Sequence, residues 1–316
     1  MRLNRWSVIS WSLFLAGVAL ACATVAQQGQ AEPARLEQDG RPLPADPGWL
    51  GPDGQPLPFA THEEVEEFLR TAEIVSSEDI GTGVTLPEKL LLEKDGVRAH
   101  AVFKAVDERT PGVSRIKGLT VTNWRDYHLY DCAAYQLDRI LGMNHVPPSV
   151  PRTFGNRDGT ATLWIEHTIM DVDRRERGLE PPSTIRWHQQ QKMMFVFDAL
   201  VGNADANLSN VLIDRNWKLW FIDHTRSFVT SKKLFAPKSL VHCERGLWRA
   251  INELDKGEVK ERLGSFLDGK EIDAVMARRD EIVKIIQQEI KERGEAAVLY
   301  DLQPPGDEVG LSLIHI

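Results

Sequence analysis

Cysteine is scarce. Cys22, Cys132 and Cys243 are the only three in 316 residues, too few and too scattered for a disulfide scaffold or a structural zinc site. Basic excess is lacking as well. The 38 Lys and Arg stand against 46 Asp and Glu, a net charge of −8, and no basic stripe appears, which excludes a general nucleic-acid binder. Internal repeats, collagen-like periods and low-complexity tracts are missing. The histidines at 100, 128, 145, 188, 224 and 242 show no metal-ligand spacing, and His62-Glu63-Glu64-Val65-Glu66 lacks the second histidine of a zinc-protease helix. What is present is an ordinary globular composition, 42% hydrophobic and 27% charged, enough for one large domain or two modest ones.

The one long apolar run is at the start. MRLNR carries two arginines, and no charged residue follows from Trp6 to Ala23. A basic start, an apolar stretch and small residues at its end describe an export signal or lipoprotein signal over 1–26. Processing after Ala23, after Ala26 or at Cys22, and an uncleaved anchor, all remain open. Each places the body outside the cytosol, in a periplasm, on an envelope or extracellular, with membrane contact only through this segment. At the other end, Leu311–Ile316 (LSLIHI) is what a sequencing-library adapter would encode, so these residues of the 301–316 tail are expected to be non-native.

Residues 27–60 hold seven of the 17 prolines and five of the 23 glycines, which predicts an extended tether. Thr61 and Glu64 form a capping-box pattern that opens a leading helix within 61–77. Strand signals run from Ile74 to Val106, with Asp95-Gly96 as a hairpin dipeptide. Apolar spacing predicts a helix over 124–142, a strand over 160–166, and further helices at 187–201 and 271–293. Residues 171–184 read as a charged linker. VLID and KLWFID are short strands. Strands first and helices second give an α+β class with two lobes of unlike character, residues 78–166 and 167–300.

The chemistry concentrates in FDALVGNADANLSNVLIDRNWKLWFIDHTRSF, residues 197–228. A β-hairpin here brings Asp205, Asn210 and Asp223 to one end of a small sheet. Two carboxylates and an amide oxygen suit a hard divalent ion, which takes few protein oxygens plus phosphates and water. An EF-hand reading of 203–214 fails at Leu208, where that loop needs glycine.

This spacing resembles the catalytic and metal-binding loops of protein-kinase-like folds. The wording GNADANLSNVLID…LWFIDHTRSF is closer to their atypical branch: HipA-like kinases, phosphatidylinositol 3- and 4-kinase-like enzymes and secreted four-jointed-type kinases. The resemblance implies a small β-rich N-lobe and a larger helical C-lobe. It implies ATP and Mg²⁺, or Mn²⁺ in its place, as cofactors. Asp205 would orient the acceptor hydroxyl, and Asn210 and Asp223 would hold the metal. Lys104 in AVFKAV takes the place of the phosphate-pairing lysine, and Asp131 that of the glutamate which orients it. Asp131 is shorter than that glutamate, so its contact with Lys104 is expected to be long or missing. Gly81 and Gly83 would approach phosphate, and Leu163 and Ile165, in the hinge-like LWIE, would meet adenine.

The implied function is phosphotransfer to a hydroxyl of an unknown acceptor (protein, lipid or small molecule), with no nucleic-acid partner. The alternative is a catalytically weak or inactive kinase-fold binding domain in the cell envelope, favoured by Asp131 and by the scarcity of ATP outside cells. The five polar residues are expected to converge on one cleft, and at least one carboxylate to have a raised pKa from its like-charged neighbour.

Overall fold

The computed structural model describes residues 49–81 and 86–305. The export signal, most of the tether, Gly83 and the LSLIHI tail lie outside the described residues.

Residues 49–60, expected to be tether, form a packed segment. Trp49 and Leu57 are buried, the Leu57 N–H donates to the Trp49 carbonyl at 2.6 Å, and the Trp49 ring stands edge-on to His62 at 5.0 Å. Proline-rich composition hid these anchors, since a short turn with two large apolar side chains can dock without regular structure. Helix α1 (His62–Thr71) begins at the expected capping box of Thr61 and Glu64 but ends six residues early, because Glu73 already opens a strand.

Strands β1 (Glu73–Asp79), β2 (Glu88–Lys94) and β3 (Val97–Lys104) follow in antiparallel register. The Asp95-Gly96 dipeptide turns β2 into β3 with both φ angles positive, the geometry that two-residue hairpin turns prefer. The expected helix over 124–142 is then corrected. Its first part is strand, because 107–127 form a separate hairpin, β4 (Asp107–Ile116) and β5 (Leu119–Tyr127), closed by Lys117-Gly118 at positive φ. Only Leu129–Leu141 is helical (α2), stopped by Gly142 in the left-handed region. Strands β6 (Ser149–Phe154) and β7 (Arg157–Leu163) complete a five-stranded sheet in the order β1-β2-β3-β7-β6. Ala99, Ala101 and Phe103 of β3 pack with Leu90, Leu92, Val150 and Ala161 beneath α1.

Past this sheet, β8 (Ile169–Met170) leads into a short helix α3 (Asp171–Glu176), where a linker was expected. Asp171 holds Arg174 at 2.5 Å, and the Arg174 guanidinium lies over Trp187. Helix α4 (Thr184–Val201) precedes β9 (Val211–Ile213) and β10 (Leu219–Phe221), which pair with β8 as a small three-stranded sheet. Asp214 closes the β9–β10 turn by accepting from the Asn216 and Lys218 amides and Trp220 Nε1, so it is spent on the turn. Three helices, α5 (Arg245–Glu253), α6 (Lys256–Leu263) and α7 (Gly269–Arg293), fill out the second lobe. Its core includes Leu137 and Leu141 of α2 together with Phe197, Leu200, Ile251, Val275 and Ile282. Among the described residues, no single sheet runs through both lobes, and no helix is long and apolar enough to cross a membrane.

Asp138 of α2 is fully buried. Its Oδ1 accepts from the His145 amide at 3.0 Å, while Oδ2 has no partner among the described residues. Burial pushes this carboxyl up to about 7. A folded pKa above the unfolded value means the group's stabilising contribution is complete below pH ~4 and lost as pH rises through ~7. Asp138→Asn is therefore expected to change stability little at pH ~3.5 and to raise it by roughly 2–4 kcal/mol at pH 8.5. Urea melts of both proteins at the two pH values check this; equal shifts at both would contradict it.

Candidate active site

Lys104 ends β3. Period-two alternation sends Ala99, Ala101 and Phe103 into the lobe core and leaves Lys104 on the opposite face. Its Nζ donates to Asp131 Oδ2 at 3.1 Å and to Asp223 Oδ1 at 2.8 Å. The aspartate at 131 thus reaches the lysine despite its length, against expectation, because it sits in the first turn of α2, which abuts β7 and the segment after β10. Asp131 Oδ1 also accepts the His224 amide at 2.7 Å, tying the helix to that segment. The Tyr127 amide adds a second tie, donating to the Thr225 carbonyl at 2.8 Å.

Asp223 follows β10 with φ at 60°, a left-handed conformation that aspartate tolerates better than most residues and that still carries strain. Lys104 and the Thr225 hydroxyl, which donates at 3.2 Å, hold its carboxylate. Burial alone would raise the Asp223 pKa, but Lys104 wins and keeps it below the usual carboxylate value. Burial likewise opposes charge on Lys104, and Asp131 with Asp223 overcome it to raise that pKa. The expected like-charge elevation is therefore corrected for Asp223, since it has a cation of its own. Asp205 pairs with Arg226, whose Nη1 lies 3.1 Å from its Oδ2.

The 202–210 loop is stitched by asparagines. Asn203 Oδ1 accepts the Asp205 amide, and Asn207 Oδ1 accepts the Ser209 amide. The side-chain amides of Asn207 and Asn210 both donate to the Asp205 carbonyl, at 2.8 and 3.1 Å. With its NH₂ so engaged, Asn210 keeps its side-chain oxygen as the acceptor end. The Ile222 amide donates to the Asn210 carbonyl at 3.0 Å, extending the β9–β10 pairing and setting Asn210 beside the Ile222-Asp223 step. A cavity of about 330 Å³ opens by this loop, with Asn203, Asn207, Asn210, His224 and Phe235 among its walls. His224 is buried with its ring edge-on to Phe197, and burial lowers its pKa.

Gly81 lies just past β1 at φ 70°, at the sheet end that also carries Lys104, since Asp79 pairs with Glu88 and Glu88 with Phe103. Its amide already donates to Asp79 Oδ1 at 2.8 Å. Leu163 ends β7 with its amide donating to the Pro148 carbonyl at 2.8 Å, and the Trp164 amide donates to the His100 carbonyl at 3.0 Å. Ile165 packs against the first lobe's core and its carbonyl accepts the Thr168 hydroxyl. Sequence reading missed Thr225, Asp126 and Arg226, although Thr225 and Arg226 stand within three residues of Asp223.

No protein-family model matches the sequence, and no curated protein is significantly similar to it. Solved structures do match. A hydra Fam20 with sugar aligns over 76% of this chain and 92% of its own at TM-score 0.58 and 15% identity. A Golgi casein kinase aligns over 76% and 79% at TM-score 0.56 and 14% identity. The Golgi casein kinase with Mn/ADP bound aligns over 78% and 80% at TM-score 0.55 and 15% identity. The fold is kinase-like. These structures are of the atypical kinase type, and at such identities the fold is what they share with this chain. Within the kinase-like fold, β3 of the five-stranded sheet carries Lys104 and α2 carries Asp131. The β9–β10 hairpin then presents Asn210 and Asp223 from the second.

The donor chemistry fits a hard divalent ion. Asp223 sets a carboxylate against Lys104, Asn210 offers an amide oxygen at the start of the same hairpin, and among the described residues no cluster of three or more His, Cys, Asp or Glu could hold a metal alone. A site of this kind is completed by phosphate oxygens and water.

Proposed function

We propose that this chain is an ATP- and divalent-metal-dependent phosphotransferase of atypical kinase type, acting on a hydroxyl of its acceptor outside the cytosol. The observation that carries this reading is the Lys104–Asp131–Asp223 cluster, in which residues from three elements of two lobes meet within 3.1 Å. A lysine buried at a strand end and held by two carboxylates is arranged to receive the charge of a third group, the nucleotide phosphates. Asp223 and Asn210 would hold Mg²⁺ or Mn²⁺, which supplies charge neutralisation at those phosphates. Asp131 keeps Lys104 charged and fixed. Asp205, less buried than Asp131, takes up the acceptor hydroxyl's hydrogen bond and orients it for in-line attack. The neighbouring cavity offers room for the acceptor group. The Golgi casein kinase that shares this fold binds Mn/ADP, which supports a nucleotide and metal here. The N-terminal run supports export.

The inactive binding-domain reading loses one of its two supports, because Asp131 does reach Lys104. The test is transfer from [γ-³²P]ATP with Mn²⁺ by the full chain, offered dephosphorylated casein, phosphatidylinositol vesicles, or glycerol and inositol. Wild type is expected to label at least one class, and Asp205→Ala to lose ~10³-fold in kcat with nucleotide binding retained. ATP binding without any transfer or turnover would return the binding-domain reading.

A further inference from the structure

The β4–β5 hairpin is inserted between the lysine strand and α2, and it lies across the 202–210 loop. Val121 packs with Ala204 and Val229. The Thr230 hydroxyl donates to the Thr122 carbonyl at 3.1 Å, and Lys117 Nζ lies 3.4 Å from the Ala206 carbonyl. At the base of this contact stands Arg226. Its Nε donates to Asp126 Oδ2 at 2.7 Å and its Nη1 to Asp205 Oδ2 at 3.1 Å. Its carbonyl accepts the Ala204 amide at 3.2 Å, and its guanidinium lies 5.9 Å from the Trp124 ring centre.

We infer that Arg226 is a positioning residue for Asp205, and that the β4–β5 hairpin, through Asp126, fixes where Arg226 stands. This rests on the phosphotransferase reading. The planar guanidinium is suited to the task, because its donors leave in fixed directions and can grip two carboxylates at once, which a lysine cannot do with defined angles. Asp126 is buried, only 3% exposed at its side chain, and its Oδ1 has no partner among the described residues, so Arg226 is its principal compensation. Asp205 is gripped through Oδ2. Among the described residues its Oδ1 has only the Asn207 amide, at 3.3 Å, and is the oxygen left for an acceptor hydroxyl. The pair of bonds thus chooses which carboxylate oxygen works and in what direction it faces. Arg226 touches neither Lys104 nor Asp223 in the hydrogen-bond pattern, so it acts on the hydroxyl side of the transfer.

The experiment combines steady-state ATP turnover, measured as ADP released with Mn²⁺, with hydrogen exchange on the full chain. Arg226→Met is expected to lower kcat ~10²-fold, the scale of a small misplacement of a reacting group. KM for ATP should stay within about threefold. Arg226→Lys should recover part of the loss. In an Asp205→Asn background, Arg226→Met should add no more than about twofold, because the residue it positions is already disabled. Amides of 203–210 and 119–127 should exchange faster together in Arg226→Met. A full further loss in the Asp205→Asn background, or an effect confined to KM, would overturn the inference. Should wild type turn over no ATP, the phosphotransferase reading fails by itself, and unchanged exchange at 203–210 would separately overturn the Arg226 tie.

Discussion

Replacing Lys104 with methionine is expected to abolish phosphotransfer, by 10³-fold or more, and to destabilise the fold by roughly 3–5 kcal/mol. Both effects come from the same geometry. Lys104 is the only cation bonded to Asp131 and Asp223 among the described residues, and its side chain and that of Asp131 are 11% and 6% exposed. Removing one partner of such a group strands the other charge out of water. The pH dependence has a definite sign. The Asp223 pKa is lowered in the fold, so its share of the stabilisation is present above pH ~4 and is lost as pH falls through the folded value. The Lys104 pKa is raised, so its share is present below pH ~10 and persists into strong alkali. The stability gap between wild type and Lys104→Met should therefore be widest from pH ~5 to ~10 and shrink in acid. Denaturant melts across pH 3–9 measure this. A gap that grows in acid would contradict the ion-pair account.

The second large effect concerns Arg278, fully buried on α7 with no carboxylate bonded to it among the described residues. It donates to the Leu200 carbonyl at 2.9 Å, to Val229 at 2.7 Å and to Ser231 at 2.6 Å. These carbonyls belong to the end of α4 and to the segment after Asp223, so one guanidinium ties both arms of the candidate site to α7. Burial pulls its pKa down to about 9, which leaves it charged at neutral pH. Gly202 records how closely it packs: a Cβ there would fall 2.8 Å from the Arg278 guanidinium carbon, and the residue sits at φ 62°. Arg278→Met is expected to destabilise by about 3–5 kcal/mol, since two buried carbonyls and one half-buried one lose their donor at 1–3 kcal/mol each, partly offset by relief of the buried charge. Thermal or urea melts give the number. A loss below about 1 kcal/mol would show that the carbonyls find other partners.

Local signals carried much of this fold. Asp95-Gly96, the Thr61–Glu64 box and the alternation of Ala99, Ala101 and Phe103 were legible because each acts over a few residues. The spacing of Asp205, Asn210 and Asp223 was legible because a short hairpin converts it into proximity. The β4–β5 hairpin was not. Its first strand is exposed along nearly its whole length, so no face alternates, and its Lys117-Gly118 turn is a weaker signal than Asp-Gly. Trp49 and Leu57 were masked by the prolines around them. Arg226 gave no sign of its role because its partners lie 100 and 21 residues away. A guanidinium held by distant carboxylates looks, in sequence, like any surface arginine.

The most direct measurement of the central claim is Mn²⁺ binding in the presence of ATP, read from the loss of the free-ion electron paramagnetic resonance signal in wild type and Asp223→Ala. The account predicts one ATP-dependent Mn²⁺ site in wild type and none in Asp223→Ala, with both proteins folded by circular dichroism. Equal Mn²⁺ uptake by the two, or none by wild type with ATP present, would contradict it.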